Sequence, residues 1–178
     1  MMKESNFNVH KMTVLAILTA GAIVIGVLES LIPSIGIPGV KLGLSNIVIL
    51  VVLYELGIWE ALLVSLSRVL IVSLVRGAFL SMGFVMSLCG ALLSLGIMIL
   101  FFLLIRKFSI IGVSVIGALF HVFGQIGVAM IYLSTAYVLY YLPIIALSAI
   151  ITGVIVGVSA QLIINTKVIS KQKEKYKF

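Results

Sequence analysis

The sequence predicts an all-α integral membrane protein with six transmembrane helices, and three observations carry that prediction. Its 178 residues are 63% hydrophobic and only 10% charged, with a mean hydropathy of +1.38, far from soluble composition. The apolar residues fall into runs near the roughly 20 residues a helix needs to cross a hydrocarbon core. Those runs and their short connections use almost the whole chain, so no extramembrane domain fits.

Taken in order, residues 1–11 form a polar segment expected on the cytoplasmic side. The apolar stretch after Lys11 is longer than the roughly 7 to 15 residues of a signal-peptide core, which predicts no cleaved signal. The spans are expected at Met12 to Ile32, Leu42 to Gly57, Trp59 to Leu80, Met82 to Ile105, Ile110 to Leu133 and Leu142 to Asn165. Breaks rich in Gly, Pro, Ser or charge separate them. Together they make a transmembrane domain over residues 12–165, followed by a basic tail over 166–178. The second span is short, so it either recruits Pro38 to Val40 or sits partly shielded from lipid by its neighbours.

Lysine and arginine in short loops stay on the cytoplasmic side of a membrane. With six spans, Lys3, Lys11, Arg106, Lys107 and the tail lysines Lys167, Lys171, Lys173, Lys175 and Lys177 share one side. Both termini are therefore expected in the cytoplasm. The other side receives Lys41 and Arg76, with the turn of Tyr137, Tyr140, Tyr141 and Pro143 suiting an interfacial aromatic belt. The loop from Pro33 to Lys41, with its prolines and glycines, is either a plain connection or a gate. The net charge of +7 is then a topology signal, and a basic tail without a fold to present it gives no reason to expect nucleic-acid binding.

The chain contains no Asp, and its acids are Glu4, Glu29, Glu55, Glu60 and Glu174. That excludes paired aspartates, an Asp-held magnesium and a Ser-His-Asp set. Cys89 stands alone, which excludes disulfides and Cys-cluster metal sites. There is no P-loop, and His10 and His121 are too isolated to hold zinc. Neither a catalytic set nor a cofactor is expected.

Ionisable residues inside a span are costly and mark functional sites by default. On the outward spans Glu29 lies near the outer end, Arg68 near the middle, Arg76 near the outer end, and His121 near the middle with Gln125 one turn further out. Asn46 begins the inward second span at the same level. These six form the candidate substrate-binding set. His121 and Gln125, four residues apart, share a helix face, with Gly117 and Gly124 close by to admit a backbone or a ligand. Arg68 and Arg76 stand about 12 Å apart along the axis and can meet different parts of one ligand. Each has a plainer reading. Arg76 can snorkel to headgroups, Arg68 can pair internally with Glu29 or Glu60 or hydrogen-bond to carbonyls, and His121 can be a hydrogen-bonded core histidine. Glu55 and Glu60 flank the turn at Gly57 and Trp59, where solvent or a partner is the expected neighbour. Ala16 with Ala20, and Gly153 with Gly157, are small-xxx-small pairs that serve helix packing or, on the first span, docking of another subunit.

The segment Lys41-Leu42-Gly43-Leu44-Ser45-Asn46, then Tyr54-Glu55-Leu56-Gly57, Ser67-Arg68, Gly77 with Ser81, and His121-Val122-Phe123-Gly124-Gln125 resemble the Gx transporter family, also labelled heptaprenyl diphosphate synthase component I. The resemblance covers roughly residues 12 to 160. More distantly, six spans, cytoplasmic termini and an Ala-rich first helix resemble the substrate-binding S-components of energy-coupling factor transporters. That resemblance implies an S-component-like bundle with an outward-facing ligand cavity and a docking face at Ala16 and Ala20 for a coupling transmembrane subunit and its ATPases. Prenyl diphosphate synthases of the usual kind carry Asp-rich magnesium motifs, which a chain without Asp cannot supply.

The expectation is a non-enzymatic capture subunit of an importer in the cell membrane. It would take a small anionic or amphipathic metabolite from outside, with the arginines on the ligand, Asn46 and Gln125 orienting it, Glu29 on a cation or donor, and His121 adding a pH response. The alternative is a non-catalytic membrane accessory of isoprenoid or menaquinone biosynthesis, or of a quinone- or flavin-linked electron-transfer system. A membrane-embedded enzyme is the third reading, without a recognisable catalytic set.

Overall fold

Backbone N–H and C=O groups in lipid must be satisfied within their own segment, so long apolar runs close as helices. The computed structural model describes residues 9–31, 43–104 and 108–166. Six helices form there: α1 (Val9–Leu31), α2 (Asn46–Glu55), α3 (Ile58–Val75), α4 (Met82–Leu104), α5 (Ile110–Leu133) and α6 (Leu142–Asn165). A short 3-10 helix, Ala136–Tyr141, leads into α6. The described residues contain no strand, and the chain is an all-α membrane bundle. The expected gate between Pro33 and Lys41, the cations Lys3, Arg106 and Lys107, and the tail lysines lie outside the described residues.

The ends of these helices have local causes. Gly57, with φ +129°, makes the turn from α2 into α3, a left-handed conformation that Gly adopts without steric cost. The Ser109 hydroxyl accepts from the Gly112 N–H at 3.2 Å to cap α5, and Ser134 in the left-handed region ends it. Pro143 sits in the first turn of α6, where its missing N–H costs nothing. α3 stops at Val75, short of the expected Leu80, because Gly77 and Leu80 take positive φ and turn the chain into α4.

Five helices, α1 and α3 to α6, are long and apolar enough to cross a membrane. α2 is not, since ten residues rise only about 15 Å, half of a hydrocarbon core of about 30 Å. It is instead enclosed by protein. Its residues Val48 to Leu53 are all buried, and the helix packs against α1, α3 and α6. This is the shielding that its length demands. The remaining neighbours are α1 with α3, α3 with α4, α4 with α5, and α5 with α6, so the helices close a ring in the order α1, α3, α4, α5, α6, α2.

Two kinds of packing hold that ring. Between α4, α5 and α6 the backbones touch: a Cβ on Gly124 would stand 2.8 Å from Gly90 Cα, one on Gly153 2.8 Å from Val115 Cα, and one on Gly157 2.7 Å from Ile111 Cα. The expected glycine pair on α6 is thus internal packing, and the residue that Gly124 admits is the backbone of α4. Between α1 and α3 the contacts are made by side chains. Lys11, at the start of α1, forms an ion pair with Glu60 at the start of α3, which corrects the expectation that Glu60 faces solvent or a partner. At the other end of the same pair, Gly26 receives Val72 and the stem of Arg68. α1 and α3 therefore run parallel.

Ala16 and Ala20 are exposed on α1, the helix with the smallest buried share. The bundle does not use that face.

Candidate functional site

The apolar core of α2 ends abruptly at its first residues, where polar side chains from four elements converge. Glu29 on α1, Ser45 and Asn46 at the start of α2, Arg68 on α3 and His121 and Gln125 on α5 are each no more than 6% exposed. A charged group in such surroundings is stable only when hydrogen-bonded and balanced.

The balance runs through one hydroxyl. Ser45 Oγ donates to Glu29 Oε2 at 3.3 Å and accepts from Arg68 Nη1. Nη1 also donates to Asn46 Oδ1 at 3.4 Å. The other carboxylate oxygen, Glu29 Oε1, accepts the backbone N–H of Gly43. Acid and base are thus joined across three helices without sitting directly on one another. The carboxylate also faces the N-terminal end of α2, where the helix dipole favours a negative charge.

The backbone at Gly43 makes this possible. Its φ of +79° turns the N–H toward Glu29, and a Cβ there would stand 3.0 Å from Asn46 Nδ2. On the opposite wall, Gln125 Nε2 and His121 Nε2 are hydrogen-bonded at 3.2 Å, the pairing that their spacing of four predicts. The imidazole lies between two backbones: a Cβ on Gly43 would be 3.9 Å from His121 Cδ2, and one on Gly90 3.2 Å from His121 Cε1.

These groups border a cavity lined by Glu29, Gly43, Ser45, Arg68, Ser87 and His121, with Gly26, Val69 and Val72 as its apolar wall. Its volume of about 20 Å³ holds about one water in this conformation. Among the described residues, no three His, Cys, Asp or Glu side chains come close enough to hold a metal ion. The arrangement offers hydrogen bonds of both senses and a balanced charge pair, which suits recognition of a polar group.

Of the six expected residues, five come together: Glu29, Asn46, Arg68, His121 and Gln125. Glu29, Arg68 and His121 line the cavity, while Asn46 and Gln125 hold Arg68 and His121 from behind. Arg76 does not join them. It follows the last residue of α3, is exposed, and lines no part of this cavity; eight residues beyond Arg68, it stands about 12 Å further along the axis, past the cavity. Sequence reasoning missed Ser45, Gly43, Ser87 and Gly26. Ser45 and Gly43 were in view within Leu42-Gly43-Leu44-Ser45-Asn46, but membrane hydroxyls ordinarily bond their own helix, as Thr19 does with Leu15 O and Ser87 with Gly83 O.

A helical membrane bundle with a buried polar pocket at the head of its shortest helix is the class that this geometry defines. Within that class, the chain belongs to the heptaprenyl diphosphate synthase component I family, whose family model matches residues 18–163. The match runs from α1 into α6 and so includes every residue of the pocket. No curated protein and no solved structure matches the chain.

Proposed function

We propose that this protein is a non-catalytic, membrane-embedded capture subunit of an energy-coupling factor type importer. It binds a small amphipathic metabolite in the pocket between α1, α2, α3 and α5, and it draws energy from a separate coupling subunit with ATPases. The observation that carries this reading is the Glu29–Ser45–Arg68 bridge beside an apolar wall, inside a bundle whose other buried residues are mostly apolar. An intramembrane charge pair lining a cavity is a binding-site signature. From the sequence, two arginines about 12 Å apart along the axis are expected on different parts of an anionic or carbonyl-bearing ligand. Only Arg68 is at the pocket, and Glu29 already matches its charge, so the amphipathic half of that expectation is the better supported. Both termini face the cytoplasm, the pocket opens toward the outside, and the unused face at Ala16 and Ala20 docks the coupling subunit.

The family's description favours a second reading. "Component I" of a synthase implies a second component, so the bundle can serve that partner as a membrane accessory in isoprenoid or menaquinone synthesis.

Mass spectrometry of what co-purifies with the tagged full chain in mild detergent separates the two. The capture reading expects a stoichiometric small molecule, absent from Arg68→Ala, together with a coupling subunit and ATPases that are lost from Ala16→Trp or Ala20→Trp. An empty pocket with a prenyl synthase subunit attached establishes the accessory reading instead.

A further inference from the structure

We infer that the pocket reads an uncharged edge in which a carbonyl acceptor stands beside an N–H donor, as in an amide, ureido or imide group. This rests on the capture reading above and narrows it to a substrate class. Two independent observations point there.

The first is charge. Among the described residues, Glu29 and Arg68 are the only formally charged side chains lining the cavity, and their charges cancel. An anion bound there would leave Glu29 without its counter-charge, and a cation would do the same to Arg68. Either leaves an unmatched charge among buried groups, which is far costlier than burying a balanced pair. A neutral ligand preserves the balance.

The second is the sense of the hydrogen bonds. Ser45 Oγ accepts from the guanidinium and donates to the carboxylate. A carbonyl beside an N–H makes the same two bonds, C=O from Arg68 and N–H to Glu29, from adjacent atoms of a rigid group. The Ser45 hydroxyl is the internal stand-in for that edge. Arg68 has donors to spare: its bonds use Nη1, and Nη2 and Nε find no acceptor among the described residues. Val69 and Val72 supply an apolar surface for the body of the ligand beside this polar rim. Since the cavity now holds about one water, binding requires that Ser45 yield its place and α1 move away from α3. The α1–α3 contact at this level is made by side chains, with Val72 and the stem of Arg68 against Gly26.

The test uses the full chain in lipid nanodiscs and saturation-transfer NMR with four matched probes: uracil and orotamide, which are neutral and carry the edge; orotate, which adds a negative charge at nearly constant shape; and 1,3-dimethyluracil, which loses both donors. Uracil and orotamide are expected to bind, with orotate and dimethyluracil weaker by roughly tenfold or more, the effect of one charge-assisted hydrogen bond or one unmatched charge. Ser45→Ala removes the internal competitor and is expected to tighten uracil binding. Glu29→Gln leaves Arg68 unmatched and is expected to reverse the preference toward orotate. If wild type prefers orotate, or binds dimethyluracil as well as uracil, the neutral-edge inference is overturned while capture stands. If no probe binds at its solubility limit, the neutral-edge inference is overturned, and capture is decided by whether a small molecule and a coupling subunit co-purify with the chain.

Discussion

The two sides of the bundle are held by different physics. On one side, α4, α5 and α6 meet backbone to backbone through Gly90, Gly124, Gly153 and Gly157, where an added Cβ would lie under 3.0 Å from its neighbours. On the other, α1, α2 and α3 are joined by side chains: an apolar cluster of Ala22, Val48 to Leu53, Ala61 and Val64, flanked by Lys11 with Glu60 at one end and by Glu29, Ser45 and Arg68 at the other. Close backbone packing in lipid gains dispersion energy that only one arrangement provides. Side-chain bridges can be exchanged for ligand contacts at little net cost. On this basis α4 to α6 form the fixed wall, which holds His121 and Gln125, and α1 to α3 form the adaptable wall, which holds the charges.

Substitutions can break or sharpen that contrast. The largest effect is expected at Gly124→Val, whose side chain must displace Gly90 Cα and Cys89 O; no folded monomer should be recovered by size-exclusion chromatography. Folding at wild-type yield would show that the fixed wall is not fixed. Next is Arg68→Ala, which strands the buried Glu29 and is expected to cost about 3 to 5 kcal/mol in thermal unfolding. Adding Glu29→Ala should recover much of that loss, whereas a further drop in melting temperature would show that the two do not act as a balanced pair. Gln125→Leu removes one interior hydrogen bond to His121 and should cost about 1 kcal/mol. A loss as large as that of Arg68→Ala would move the energetic centre of the site to α5. The smallest effect belongs to Arg76→Ala, expected to shift stability by less than about 0.5 kcal/mol and to leave small-molecule retention unchanged in native mass spectra. Release of a bound compound by that variant would return Arg76 to the site.

Much of the fold was legible because hydropathy and length act locally. The expected breaks between spans fall within a few residues of the helix ends of α1, α4, α5 and α6, and α2 is shielded as its length required. Five of the six candidate residues converge because an ionisable group in a span has few tolerable places, and those lie inward. Arg76 stays outside the pocket because it lies more than two turns beyond Arg68, just past the last residue of α3. Ser45 was passed over because a serine in a membrane helix usually bonds its own backbone, and nothing in the string marks the one that does not.

The membrane class, the helical runs and the lack of aspartate chemistry can be read from the sequence alone. These follow from the cost of exposing polar atoms to hydrocarbon, which each residue carries wherever it is placed. Packing in three dimensions is what joins Glu29 to Arg68 through Ser45, sets a helix rather than a ligand against Gly124, and pairs Glu60 with Lys11. Helices that are apolar on nearly every face carry little information about their rotation. That rotation is set by which small residues let two backbones touch, and it is what turned five separated polar residues into one pocket.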